Sequence, residues 1–215
     1  AVLDDKKADT STVYDSKGGR IEYYGRSVKD SNGKGYGKIS LARGFELSSN
    51  TVLVQSVYDS YKNNPKQFVD RINSYGLNKP LGLPIKGEGK PVIPQPGTNR
   101  WSGVALPWMA FGYGLSVTPL QTLTLYNAVA NDGVMVKPIF VSEIKEWNKT
   151  IKKYNTEVIN PKICSQETLD KVQAVLENVV KRGTGSKLYS KDFSMAGKTG
   201  TAQVNYKDKS KLYYA

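Results

Sequence analysis

The chain has 215 residues, 31 of them Lys or Arg against 19 Asp or Glu, giving a net charge of +12 with 39% hydrophobic content. That is enough apolar material for one sizeable core or two small ones, and the basic balance suits an anionic polymer, an anionic lipid surface or nucleic acid. Histidine is absent, which removes histidine-based triads and nearly all zinc sites, and the single Cys164 excludes an internal disulfide and a thiolate cluster. The charges are scattered, with no arginine-rich helix, C2H2 spacing or RNP-like aromatic run, so nucleic acid is not an expected partner. No signal peptide or apolar run of membrane length occurs in the sequence.

Residues 1–38 are polar and glycine-rich. Ala1-Val2-Leu3-Asp4-Asp5 reads as the tail of a helix. Val13-Tyr14 and Ile21-Glu22-Tyr23-Tyr24 read as short strands about a Gly18-Gly19 turn. Gly33, Gly35 and Gly37 form a loop that lacks GxGxxG spacing. From Ile39 the apolar positions Ile39, Leu41, Ala42, Phe45 and Leu47 follow a helical period, which breaks at Ser48-Ser49-Asn50. A second helix then carries Val52, Leu53, Ser56, Val57 and Tyr61 on one face, with Ser49 or Asn50 as its N-cap. Pro65 opens a third, with Phe68, Val69, Ile72 and Tyr75 inward and Gly76 at its end.

Residues 76–100 hold five prolines and five glycines, too many for regular elements, and no composition shift marks a domain boundary there. Thr118-Pro119-Leu120-Gln121 has the form of a capping box, and the helix it starts is expected to bury Leu120, Leu123, Tyr126 and Ala130. Residues 134–154 read as strands with a turn at Asn148-Lys149. Cys164 reads as a small buried filler. Ser165 caps a further helix with Leu169, Val172, Leu176, Val179 and Val180 inside, closed by Gly183. Runs of helices with late, mostly antiparallel strands make the fold α+β.

The last stretch, Ala196-Gly197-Lys198-Thr199-Gly200-Thr201, leads into alternating residues and reads as a strand. Lys198 and Gly200 would face one way, Thr199 and Thr201 the other. Gly-Lys-Thr suggests a phosphate loop, but Asp192 stands where that motif needs glycine, and no helix pattern follows the threonine.

Ser48-x-Asn50 and Lys198-Thr199-Gly200-Thr201, in this order, resemble two of the three motifs of the penicillin-recognising serine acyltransferases. Gly112-Tyr113-Gly114, Val117-Thr118-Pro119-Leu120-Gln121, Ala130-Asn131-Asp132-Gly133 and Gly183-Thr184-Gly185 look like class B penicillin-binding proteins, the peptidoglycan D,D-transpeptidases. Gly112-Tyr113-Gly114 leans toward the cell-division branch. The resemblance covers essentially the whole chain.

It implies a penicillin-binding-protein or serine β-lactamase-like transpeptidase fold, an antiparallel sheet with a helical subdomain. Residues 1–215 would be one partial transpeptidase domain without a second domain. By the same resemblance Ser48, Asn50 and Lys198 are catalytic. Ser48 would relay protons between Lys198 and an upstream lysine, and Asn50 would orient that lysine and accept the acyl-donor amide. Thr199, Gly200 and Thr201 bind the terminal D-alanine carboxylate, with the Thr201 N–H forming half of an oxyanion hole.

The resemblance implies no cofactor and no metal. The implied partners are the peptidoglycan stem peptide, β-lactams and divisome or other cell-wall synthesis proteins. The implied setting is an inner-membrane-anchored parent with this domain periplasmic. The third motif, Ser-x-x-Lys, belongs on a helix, where both residues share a face. Its two matches fall in the glycine-rich loop (Ser31 to Lys34) and in a strand pattern (Ser142 to Lys145). The sequence is therefore expected to lack the nucleophile, to be incomplete at both ends, to be inactive alone, and to offer a sheet edge at which a second copy could pair. Two rival readings are a non-catalytic basic glycan- or partner-binding module on the same fold and a nucleotide or nucleic-acid binder resting on Gly197-Lys198-Thr199 and the net charge of +12.

Overall fold

The corner between two short helices organises the first half of the chain. The computed structural model describes residues 1–200 and the strands Gln203–Val204 and Tyr213–Tyr214. Strand β1 (Val13–Asp15) pairs antiparallel with β4 (Lys38–Ser40), and the hairpin of β2 (Arg20–Tyr23) and β3 (Arg26–Lys29) lies between them in sequence. Helix α1 (Leu41–Glu46) therefore begins later than the period from Ile39 suggests. Residues 38–40 are held in the ladder with β1, and the Ser40 hydroxyl caps the helix by accepting from the Arg43 N–H at 3.2 Å.

Helix α1 ends in a Schellman motif. The Ser49 N–H donates to the Gly44 carbonyl at 2.8 Å and the Ser48 N–H to the Phe45 carbonyl at 3.0 Å, with Ser48 at φ 54° in the left-handed position usually given to glycine. Helix α2 (Asn50–Tyr61) starts at once, capped by Ser49 rather than Asn50: the Ser49 hydroxyl accepts from the Val52 N–H at 3.3 Å.

The main core gathers Val52, Val57 and Tyr61 of α2, Phe68 and Val69 of α3 (Pro65–Ser74), Ile93, and Leu106 and Met109 of α4 (Ala105–Met109). The sequence pattern does not reveal α4, since five residues containing Pro107 are too short to show a period. The expected N-terminal helix tail is one turn, with the Asp5 N–H on the Ala1 carbonyl at 2.9 Å. Arg71 of α3 pairs with Asp4 at 3.0 Å and with Asp5, and the Tyr61 hydroxyl donates to Asp5 at 2.7 Å, fixing that turn against α2 and α3. Residues 76–100 contain no helix; their one bridge pairs Val92 with Ser116.

Helix α5 (Pro119–Ala130) has the expected capping box but not the expected inward face. Gln121, Thr124 and Ala128 are buried, whereas Leu123 is 60% and Tyr126 39% exposed. The cause is polar. The Gln121 side chain donates to the Leu77 and Lys79 carbonyls at 3.3 and 2.8 Å, satisfying backbone groups of the long loop that no sheet could pair. That requirement rotates the helix away from the apolar-inward solution.

Strand β5 (Met135–Val136) pairs with β8 (Val158–Asn160), and β6 (Glu143–Glu146) with β7 (Lys149–Lys153). The β6–β7 turn falls on Trp147 and Asn148, both at positive φ, one residue earlier than expected. Cys164 is half-buried and packs against Ala128, Met135 and Ile163. Helix α6 (Gln166–Arg182) carries the expected Ser165 cap, buries Leu169, Leu176, Val179 and Val180, and stops at Gly183. Strands β9 (Gln203–Val204) and β10 (Tyr213–Tyr214) pair with each other. Every ladder among the described residues is antiparallel and two-stranded, and with the helices this gives the α+β class.

Gly44 is where α1 and α2 approach most closely: a Cβ there would lie 2.4 Å from Val52 Cγ1. Helix propensity favours alanine by about 1 kcal/mol, but forced overpacking costs about 1–3 kcal/mol. Gly44→Ala should therefore lower stability by ~1–2 kcal/mol in urea unfolding, the reverse of the propensity expectation.

Candidate active site

Ser48 is set by the two helices it joins. On one side, the end of β3 grips the corner through buried Asp30. Its carboxylate accepts from the Ser49 hydroxyl at 3.0 Å, the Thr51 N–H at 2.9 Å and the Thr51 hydroxyl at 2.9 Å. Asn50 Nδ2 donates to the neighbouring Lys29 carbonyl at 2.8 Å. These bonds hold Ser48 in its left-handed conformation, which costs a non-glycine residue roughly 1–2 kcal/mol.

On the other side stands the segment after α6. Residues 194–200 carry no strand, so the strand expected over Lys198 is absent there, while Gln203–Val204 in the alternating run that follows is one. The Gly197 N–H donates to the Leu176 carbonyl of α6 at 3.2 Å, so the segment lies along that helix. Freed from a strand's alternation, Lys198 and Thr199 both turn toward Ser48. The Lys198 ammonium donates to Ser48 Oγ, 150 positions away, and to the Thr199 carbonyl at 2.9 Å. It also sits 5.5 Å from the centre of the Phe45 ring. Among the described residues no carboxylate pairs with it. Desolvation holds its pKa below the ordinary lysine value. A half-buried cation that bonds one hydroxyl and one carbonyl, and has no counter-ion among the described residues, is suited to an incoming anion.

The hydroxyls form a cluster. Thr184 Oγ1 and Thr199 Oγ1 are 2.6 Å apart, and Ser48 Oγ is 3.4 Å from each. Thr184 was not among the residues the sequence marks for the site. Its only signal is the small-residue triplet Gly183-Thr184-Gly185 after a helix.

Behind the cluster lies a buried ion pair. Glu46 at the end of α1 is fully buried, and its carboxylate accepts from Arg43 at 2.8 Å and from Arg182 Nε and Nη2 at 3.1 and 2.8 Å. Burial pushes the Glu46 pKa up, and the hydrogen bonds from Arg182 and Arg43 outweigh it, leaving the carboxyl below its ordinary value. The Glu46 carbonyl in turn accepts from the Thr184 N–H at 3.0 Å.

The structure thus brings Ser48, Lys198 and Thr199 together. Asn50 is beside them at the start of α2, with its amide turned to Lys29. Gly200 is exposed and extends the segment, and Thr201 lies outside the described residues. Neither Ser-x-x-Lys match has the helical geometry of a nucleophile: Ser31 to Lys34 lies in turns, and Ser142 to Lys145 runs into β6. Among the described residues no helix follows Thr199, and nothing in them supports the phosphate-loop reading.

Residues 1–215 match the penicillin-binding protein transpeptidase domain. The chain belongs to this family. Penicillin-binding protein PbpB of Mycobacterium tuberculosis is 31% identical over 194 residues, which make up 86% of this chain and 27% of that protein. The transpeptidase family member thus spans about a quarter of the length of that relative. The D,D-transpeptidase domain of a peptidoglycan glycosyltransferase from Eggerthella lenta superposes with a TM-score of 0.81 at 26% identity, covering 95% of this chain and 51% of that one. Penicillin-binding protein 3 of M. tuberculosis, solved in complex with ampicillin, gives 0.80 at 27% identity, covering 100% and 47%. Family membership favours the transpeptidase reading over a glycan- or partner-binding module.

Glu46→Gln should cost about 2–3 kcal/mol, because it breaks a buried, doubly paired carboxylate whose partner Arg182 remains partly solvated. The folded pKa of Glu46 is depressed, so its contribution is full above the ordinary value near 4.5 and is lost as pH falls through the lower folded value. Urea midpoints measured between pH ~7 and ~3 should fall less steeply in the variant than in the unsubstituted chain.

Proposed function

We propose that these residues form the carboxylate-binding and proton-relay half of a serine-type peptidoglycan D,D-transpeptidase site. The observation that carries this reading is the Lys198 ammonium, held between Ser48 and Thr199 with no carboxylate partner among the described residues. The terminal carboxylate of a stem peptide ending in D-alanyl-D-alanine would take the vacant anionic position, with Lys198 supplying charge and Thr199 a hydroxyl donor. Thr201 would supply a second hydroxyl.

In acyl transfer a nucleophilic oxygen bonds to the penultimate D-alanine carbonyl carbon, and the bond to the terminal D-alanine nitrogen breaks. That leaving nitrogen needs a proton. Ser48 can donate its own and recover one from Lys198, whose desolvation makes the proton easier to release. The proton that the nucleophilic oxygen gives up on attack returns through the upstream lysine and Ser48 to restore the Lys198 ammonium. Asn50, at the start of α2, would hold the acyl-donor amide. An amine of a second stem peptide then bonds to the same carbonyl carbon and displaces the nucleophilic oxygen, its proton passing to that oxygen, to complete the cross-link. A β-lactam would present its own carboxylate to Lys198 and Thr199.

The nucleophile is supplied by neither Ser-x-x-Lys match among these residues, so the 215-residue chain alone should take no acyl group. The protein would act outside the cytoplasm, carried by an inner-membrane anchor and working with other cell-wall synthesis proteins. Among the described residues no helix is long and apolar enough to cross a membrane.

In an NMR titration, N-acetyl-D-alanyl-D-alanine should shift signals of Ser48, Lys198 and Thr199, and its C-terminal amide should bind at least ~10-fold more weakly. Equal binding of acid and amide would remove the carboxylate role. Incubation with a fluorescent penicillin should leave the chain unlabelled, and stable labelling would place the nucleophile within it.

A further inference from the structure

Thr184 stands at the junction of two features that the proposed reaction does not explain: the three-hydroxyl cluster and the buried Glu46 pair. Its hydroxyl contacts both Thr199 at 2.6 Å and Ser48 at 3.4 Å, so it touches the hydroxyl that Lys198 bonds and that of the residue next to Lys198. Each hydroxyl has one proton and two acceptor positions. Ser48 Oγ already accepts from Lys198, so its proton must go outward to Thr184 or Thr199. Thr184 and Thr199 share a single proton across their short contact. With Thr184 in place, the three protons can be arranged in one circular order. Without it, Ser48 and Thr199 face each other at 3.4 Å as a single weak pair.

The backbone around Thr184 is built to hold it there. Gly183 admits no side chain, since a Cβ would lie 2.4 Å from the Glu46 carbonyl oxygen. That same oxygen accepts the Thr184 N–H at 3.0 Å, and the Gly185 N–H caps α6 through the Val179 carbonyl at 3.0 Å. Arg182, the residue before Gly183, donates to the Glu46 carboxylate, while its carbonyl accepts from Arg43 at 3.0 Å. The end of α6 is therefore fastened to the end of α1 by side-chain and main-chain bonds. Ser48 lies two residues beyond Glu46, and Thr184 two beyond Arg182. The clamp fixes the separation of the two hydroxyl-bearing residues.

We infer that Thr184 is a positioning residue of the site: carried by the Glu46–Arg182 clamp, its hydroxyl orients the Ser48 and Thr199 hydroxyls about the Lys198 ammonium. The inference rests on the transpeptidase reading for its purpose, which is to give Lys198 a preset acceptor and so hold its ammonium ready for a carboxylate. Its physical content holds without any ligand. A hydroxyl that donates outward is a better acceptor, so Thr184 strengthens the Lys198–Ser48 bond and stabilises the ammonium.

The test is the Lys198 titration itself, read from its 13Cε shift in lysine-labelled chain and assigned by loss of the signal in Lys198→Arg. Thr184→Val, which removes the hydroxyl at nearly constant shape, should lower the midpoint by about 0.3 pH units. Thr184→Ser should restore it to within ~0.1 unit, which a purely structural threonine would not require. An unchanged midpoint in Thr184→Val, or an equal fall in Thr184→Ser, overturns the inference. Should Thr184→Val not fold, the unsubstituted chain answers the same question. Its Thr184 and Thr199 methyl carbons should titrate with the Lys198 midpoint, and methyl signals indifferent to it overturn the inference. N-acetyl-D-alanyl-D-alanine added to the unsubstituted chain tests the transpeptidase reading separately, so the two can fail independently.

Discussion

A carboxylate with no exposure to solvent is the constraint around which this chain is built. Removing an ion from water costs several kcal/mol even after relaxation, and Glu46 is tolerable only because two guanidinium groups meet it. One of these, Arg43, is three residues away on the same helix and comes with local geometry. The other, Arg182, is 136 residues away, and its contact requires the end of α6 to lie against the end of α1. Once that contact exists, the residue after Arg182 must be glycine, the next N–H finds the Glu46 carbonyl, and Thr184 is delivered to Ser48. Satisfaction of one buried charge thus fixes the distance between the two halves of the site.

The same region concentrates choices that lower stability. Ser48 occupies a left-handed position where glycine would be cheaper, and Lys198 is partly desolvated with no counter-ion among the described residues. Neither improves the fold. Both make sense if the corner exists to hold a hydroxyl and a cation ready for an anionic ligand, with the Asp30 bonds at one side and the Glu46 pair at the other offsetting the cost. Breaks of local preference amid complete surrounding bonds are what the proposed site would be expected to show.

Much of this was legible in the sequence. Ser48-x-Asn50 and Lys198-Thr199-Gly200-Thr201 single out stretches whose Ser48, Lys198 and Thr199 meet in the fold, and the Ser165 and Thr118 caps, Pro65 and Gly183 mark helix ends because each has a local physical signature. What was not legible depends on contacts distant in sequence. The inward face of α5 follows from Gln121 bonding to loop carbonyls more than forty positions earlier, which outweighs the apolar pattern of Leu123 and Tyr126. Lys198 and Thr199 face the same way because the Gly197 N–H is held by α6 rather than by a strand neighbour. Thr184 was overlooked since a threonine between glycines has no periodicity to betray its role.

The central claim is that Lys198 and Ser48 interact directly across 150 positions of sequence. A double-mutant cycle measures this most directly: urea unfolding of the chain, of Ser48→Ala, of Lys198→Met and of the double variant. The account predicts a coupling of about 1 kcal/mol between the two substitutions, as for a hydrogen bond made by a charged group that is partly solvated. Additivity to within ~0.4 kcal/mol would mean that the two side chains do not meet, and would contradict it.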